Sequence, residues 1–276
     1  ILQTADIHAH TGAFGGCGWL QVAAAIKAER RRAGAGNVLL IDCGDTIQGT
    51  LTGALARGRS DLAMLGHLRY DVWVPGNHEL DFGTAHFQSL SRQAPVPVLN
   101  GNLRLGSPPR PLPCWRVFER AGARIAVVGL TTPNLPHWLW GEKYAGYEVR
   151  PAAETLRSVL PTIQRAGVDM IVVALHQGYM EREVKTIARR CPQIDLILGA
   201  HTHRPFAGRP VAGAYYVQPA AHGEALARIE VTLDPGRHRV VKMTSRLVRT
   251  SAYQPDAGAA AVLRPWLEAT AAARKR

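Results

Sequence analysis

No run of about 18 apolar residues occurs in this 276-residue chain, so no membrane-spanning helix is expected. Cysteine is scarce: Cys17, Cys43, Cys114 and Cys191 lie far apart, and no Cys-x-x-Cys pair occurs. That excludes a zinc knuckle and a disulfide-dense scaffold; buried thiols are expected, with one disulfide as the alternative. Lysine appears only at positions 27, 143, 185, 242 and 275, so the net charge of +12 comes almost wholly from arginine. Such a surface could attract phosphorylated substrates or nucleic acid. Runs such as Glu29-Arg30-Arg31-Arg32 end a helical pattern, where cations complement the helix dipole, so solvated arginine faces are the preferred reading. No internal repeat occurs, and an initiating methionine is also missing. The chain opens on Ile1 inside a strand-like run, so the native start is expected to have been removed and any signal peptide to lie out of view.

What is present is globular: 46% hydrophobic residues and 27 glycines argue against disorder. Strand-like runs alternate with helical patterns. Residues 37–41 follow a helical pattern over 18–33, and residues 72–74 follow a helix opened by a Ser60 cap with Asp61 in its first turn. Residues 124–130, 170–175 and 195–199 are short, β-rich and bounded by turn residues, as strands buried on both faces are. After position 215 the pattern turns to strands alone (215–217, 225–233 and 239–248), the last two joined by the turn Asp234-Pro235-Gly236. The proline-rich stretch 107–113 reads as a loop within the domain. Residues 137–148, with Trp138, Trp140, Tyr144 and Tyr147, read as an aromatic excursion, equally suited to a packed lid and to substrate contact. Residues 259–276 read as a helix with nothing left to pack against.

Five blocks carry the chemistry. They are Thr4-Ala5-Asp6-Ile7-His8, Asp42-Cys43-Gly44-Asp45, Pro75-Gly76-Asn77-His78-Glu79-Leu80-Asp81-Phe82-Gly83, Ala174-Leu175-His176 and Gly199-Ala200-His201-Thr202-His203. Each begins where a predicted strand ends, and ligands of open α/β sheets bind in the crevice beyond the strand C-termini. Nitrogen and oxygen ligands without thiolate suit two divalent transition-metal ions sharing one carboxylate. The order Asp-x-His, Gly-Asp, Gly-Asn-His-Glu, His, Gly-x-His-x-His resembles the calcineurin-like metallophosphoesterases. The Glu-Leu-Asp-Phe-Gly continuation is similar to their 5′-nucleotidase branch, and the resemblance runs from residue 1 to about Leu233.

The resemblance implies an α/β fold, a four-layer αββα sandwich of two mixed sheets flanked by helices. Residues 1–250 would form the catalytic domain and 251–276 a C-terminal helix or linker. The nucleoside-gripping second domain of 5′-nucleotidases is expected to be absent, because the chain stops where it would begin. Asp6, His8, Asp45 and His203 would hold one ion, and Asp45, Asn77, His176 and His201 the other, with Asp45 bridging. The metal is left open among Mn, Zn, Fe and Co. His78 would protonate the leaving alkoxide, with Asp81 holding its ring. Glu79 would either accept a hydrogen bond from a ligand histidine or sit in a helical first turn.

Asn77, His78, Asn102 and His222 are the substrate-binding candidates. Asn100 stands as alternative to Asn102, and a turn role is equally open to both. His222 falls in a glycine loop near the metals without being a family ligand, and His10 could stand behind the first metal. His67, His86, His137 and His238 are assigned to surface or packing. Ala9 and Ala200 stand where the family has glycine.

The activity implied is hydrolysis of small phosphate esters, nucleotides or 2′,3′-cyclic nucleotides first among them. The competing readings are a thiosulfonate-hydrolysing relative from sulfur oxidation, a nuclease of the same superfamily, and a metal-binding module without catalysis. A small phosphate ester, and no nucleic acid, is the expected partner, and the resemblance points to a periplasmic or secreted setting.

Overall fold

Alternating helices and strands run along the chain in the computed structural model, which describes residues 1–139, 141–234, 236 and 239–275. Trp140, Pro235 and His238 lie outside the described residues. The elements are β1 (Leu2–Thr4), α1 (Trp19–Ala33), β2 (Leu40–Asp42), α2 (Leu51–Ala56), α3 (Arg59–His67), β3 (Val72–Trp73) and α4 (Thr84–Gln93). There follow β4 (Leu103–Leu105), β5 (Arg110–Pro111), β6 (Trp115–Arg120), β7 (Ala123–Thr131), β8 (Tyr147–Val149), α5 (Ala152–Arg165), β9 (Met170–His176) and α6 (Arg182–Arg190). The last are β10 (Leu196–Leu198), β11 (Phe206–Val211), β12 (Ala214–Gln218), β13 (Ala225–Asp234), β14 (Arg239–Arg249) and α7 (Ala257–Ala273).

Two mixed sheets form the centre. One has the order β14-β13-β1-β2-β3 and the other β11-β12-β10-β9-β7-β6. Strands β1, β2 and β3 run parallel in the first, and β12, β10, β9 and β7 run parallel in the second. Period-two alternation explains the layering. In β9, Met170, Val172 and Ala174 face the core between the sheets, while Ile171, Val173 and Leu175 face the helices α5 and α6. In β2, Ile41 points between the sheets and Leu40 into the core beneath α1 and α3. Three apolar layers therefore separate four layers of structure, and the fold is the αββα sandwich.

Sequence patterning misplaced three features. The helix expected to open on Ser60 starts earlier: Gly58 precedes α3, and the Ser60 hydroxyl donates to Asp61 from inside the helix. Thr50 caps a separate helix, α2, by accepting the Gly53 N–H. The proline-rich loop contributes β5, which pairs with β4 in a three-stranded side sheet completed by β8. Most consequentially, α7 is not left without a partner. Ala259 and Leu263 are wholly buried against the α1–α3 layer, and the Thr270 and Thr52 hydroxyls lie 2.9 Å apart. Alanine-rich turns let this helix approach closely. Asp256 accepts the Ala259 N–H and takes Lys27 in an ion pair, which fixes its start.

Candidate metal and phosphate-ester site

Strand direction sets the site. Asp6 and His8 follow β1, Asp45 follows β2, Asn77 follows β3, His176 ends β9, and His201 and His203 follow β10. The carboxyl ends of parallel strands from both sheets thus deliver their side chains to one crevice. Asp6, His8 and Asp45 offer ligand atoms within 4.8 Å of one another, and so do Asp45, His176 and His201. Asp45 is common to both groups. Close approach is possible because of glycine: a Cβ at Gly76 would lie 2.3 Å from an Asp45 oxygen, and one at Gly49 2.7 Å from the His8 Cβ. Asp6, His8, Asp45, His201 and His203 all have positive φ, a strained backbone that gathers at functional sites. Ala9, in a family glycine position, also adopts φ 54°, the region glycine enters freely.

Hydrogen bonds aim the imidazoles. His176 Nδ1 lies 2.7 Å from the Cys43 carbonyl and His8 Nδ1 2.9 Å from the Gln48 carbonyl. A carbonyl only accepts, so each Nδ1 carries a proton outward and leaves Nε2 facing inward. Burial works against charge on His176, but Asp45 overrides it and raises its pKa to about 10, so this Nε2 holds a proton that a cation would displace. His176 Nε2 stands 3.1 Å from Asp45 and has no hydrogen-bond partner, and the buried Asn77 Oδ1 also has none. His8 and His203 bring their Nε2 atoms within 2.9 Å of each other. Orphaned buried polar atoms are costly, and ligand atoms gathered around a carboxylate fit divalent cations. Charge tells the same story. Burial pushes Asp6 up to about 8 against the pull of His176, with Asp45 adding to the rise. Asp45 suffers the same desolvation, but His176 overrides it and holds Asp45 below the usual carboxylate range. Burial drives His8 and His201 down to about 4, leaving neutral imidazoles suited to ligation.

His78 Nδ1 lies 2.7 Å from Asp81 Oδ2, and its backbone N–H donates to Asp45 at 2.8 Å. Burial would lower the His78 pKa; the bonded Asp81 and nearby Asp45 reverse that and raise it. Glu79 lies in the first turn of a short 3-10 helix, His78–Leu80, one of the two roles expected of it. Its carboxylate accepts the backbone N–H groups of Asp45, Thr46 and Gly76, stapling two ligand loops together. Asp42, for which no role was expected, accepts from Thr4, Thr46 and Gly44 and braces the Asp45 loop from behind. The signal for both was an acid within three residues of a candidate ligand, Asp42 of Asp45 and Glu79 of Asn77.

The remaining candidates scatter. Asn102 donates to the Thr131 and Arg150 carbonyls and accepts the Thr131 N–H, so its amide ties loops together in the interior. Asn100 Oδ1 accepts from the Asn102 and Leu103 N–H groups, a turn role. His222 lies at the crevice, 5.2 Å from His203 between ring centroids, and stacks on His10. His86 bonds the Arg57 carbonyl, and His67 and His137 are exposed. Trp138, in the excursion read as either lid or substrate contact, reaches the site. Its exposed ring lies 4.9 Å from the His201 ring, while neighbouring Leu135 and Leu139 are buried. The excursion is thus both a packed flap and a rim. The four cysteines are free.

Comparison with known proteins gives a consistent result. The family model for calcineurin-like phosphoesterases matches residues 1–205. A probable 5′-nucleotidase of Treponema pallidum is 29% identical over 231 residues, covering 75% of this chain. The chain spans 38% of that relative's length. Among solved structures, a 5′-nucleotidase precursor from Thermus thermophilus superposes with a TM-score of 0.83 at 25% identity, covering 98% of this chain and 58% of that one. The calcineurin-like phosphoesterase YfkN of Bacillus subtilis shares the fold with a TM-score of 0.88 at 19% identity, covering 100% and 98%.

Proposed function

This chain belongs to the calcineurin-like phosphoesterase family, a family of phosphate-ester hydrolases, and on that footing we propose that it is a two-metal enzyme acting on small phosphate esters, nucleotides first among them. The observation that carries the reading is the convergence of ligand atoms on Asp45 beside a His78–Asp81 pair. In this reading Asp6, His8, Asp45 and His203 would hold one ion, and Asp45, Asn77, His176 and His201 the other. Divalent ions there supply Lewis-acid charge to the phosphoryl oxygens and acidify water.

The chain's own residues do the rest. His78 fixes its tautomer through Asp81, so its Nε2 carries the transferable proton for the leaving alkoxide. Against the effect of burial, Asp81 and Asp45 raise the His78 pKa, which favours the protonated ring that a general acid needs. Glu79 holds the Asp45 loop still during the reaction, because moving that loop would break the bonds from both Asp45 and Thr46 while Gly76 anchors the carboxylate to the next loop. Trp138, on the rim beside His201, offers a flat apolar face to an aromatic leaving group. The 5′-nucleotidase names of the relatives support nucleotides as the substrate class. A setting outside the cytoplasm is part of the proposal, on the likeness to that branch.

The test is a panel of nucleoside monophosphates, cyclic nucleotides, nucleotide sugars and an aryl phosphate, run with Mn, with Zn and with chelator. Metal-dependent turnover that favours nucleotides over the aryl ester is expected. Turnover of none of them, or turnover indifferent to chelator, would overturn the reading.

A further inference from the structure

We infer that His222 is an additional metal ligand, giving the ion held by Asp6, His8 and His203 a third imidazole; the inference rests on the two-metal reading above. His8, His203 and His222 present ring nitrogens within 4.8 Å of one another. Their ring centroids are 4.9 Å (His8–His203), 5.7 Å (His8–His222) and 5.2 Å (His203–His222) apart. With metal–nitrogen bonds of about 2.0–2.1 Å, imidazoles radiating from one ion at roughly tetrahedral angles place their centroids about 5 Å apart. The His176–His201 pair, assigned to the other ion, shows the same 5.2 Å spacing. His78 also lies 5.2 Å from His8, but it commits Nδ1 to Asp81.

Backbone and packing set His222 apart from a surface histidine. It adopts φ 56°, a conformation it shares with Asp6, His8, Asp45, His201 and His203. A non-glycine residue there is strained, and the strain persists only where the surroundings impose it. Two contacts do so. The His222 N–H donates to the Asp6 carbonyl at 2.7 Å, tying the loop after β12 to the first ligand loop. On its other side the His10 ring stacks 4.3 Å away with the planes 23° apart, backing the imidazole. The parallel strand β12 thus delivers a ligand to the crevice as β1 and β10 do, from one strand further along the sheet.

Metal titration of the stripped protein tests this without reference to turnover. Calorimetry with Co(II) is expected to give two sites in the wild type. His222→Asn keeps a residue that tolerates left-handed backbone but has too short a side chain to reach the ion, and His222→Gly serves if the asparagine variant misfolds. Either is expected to retain both sites and weaken one by at least about tenfold, with a change in the visible Co(II) band of that ion alone. Two unchanged sites with an unchanged spectrum in a folded variant would overturn the inference and leave the two-metal reading standing. A wild type that binds no Co(II) would overturn both.

Discussion

The pairing of His78 with Asp81 is the residue-scale feature with the clearest consequence. If His78 protonates the leaving group, His78→Ala is expected to lower kcat by roughly 10²–10⁴-fold at unchanged metal content. The loss should shrink for a nitrophenyl ester, whose leaving group needs no proton. Equal losses for both esters would make His78 a positioning residue. Away from the site, Asp61 makes a separate prediction about stability. Its carboxyl is buried, accepts from Trp19 and Ser60, and is pushed up to about 7 by desolvation. The native state therefore keeps a proton that the unfolded chain releases near its ordinary 3.8, and stability falls as pH rises from about 4 to about 7. Asp61→Asn, whose amide oxygen can still take the Trp19 indole, should remove up to about 1.4 kcal/mol per pH unit of that slope. Urea titrations at several pH values measure it, and an undiminished slope in the variant would refute the assignment.

At the scale of elements, the long apolar strands and the order of the ligand blocks were legible in the sequence. Period-two burial leaves a plain mark in stretches such as Met170 to Leu175, and a ligand that follows such a stretch is placed by it. Short elements left no such mark: α2 has six residues and β5 two, too few for a period to repeat. Helix α7 was legible as a helix and not as a packed one, because alanine reads the same whether buried or exposed. Its docking predicts that Leu263→Ala costs about 2–5 kcal/mol in denaturant unfolding. A loss under about 1 kcal/mol would mean that the helix is only loosely held. Hydrogen bonds that close through space, such as those of Glu79 and Asn102, were illegible because their partners lie far off in sequence. The flap was legible as an aromatic excursion, but the contact of Trp138 with His201 belongs to the same class. Trp138→Ala should raise KM for aryl and nucleoside esters several-fold, with a smaller effect on an alkyl phosphate. An equal change for all three would remove the rim from the account of specificity.

Across the whole molecule, the two sheets act as jaws whose carboxyl ends meet at Asp45, so fold and site stand or fall together. Desolvated Asp6 and the orphaned polar atoms of His176 and Asn77 are destabilising without cations, and ligands that bind only the native state stabilise it by mass action. The central claim is that two divalent ions at this junction confer phosphate-ester hydrolysis. Its most direct test is aryl phosphate turnover by the metal-stripped protein, followed as Mn is added in measured equivalents per chain under tight-binding conditions. The account predicts no turnover at zero equivalents and a rise that levels off at two. Turnover by the stripped protein, or a plateau at one equivalent with nothing gained from the second, would contradict it.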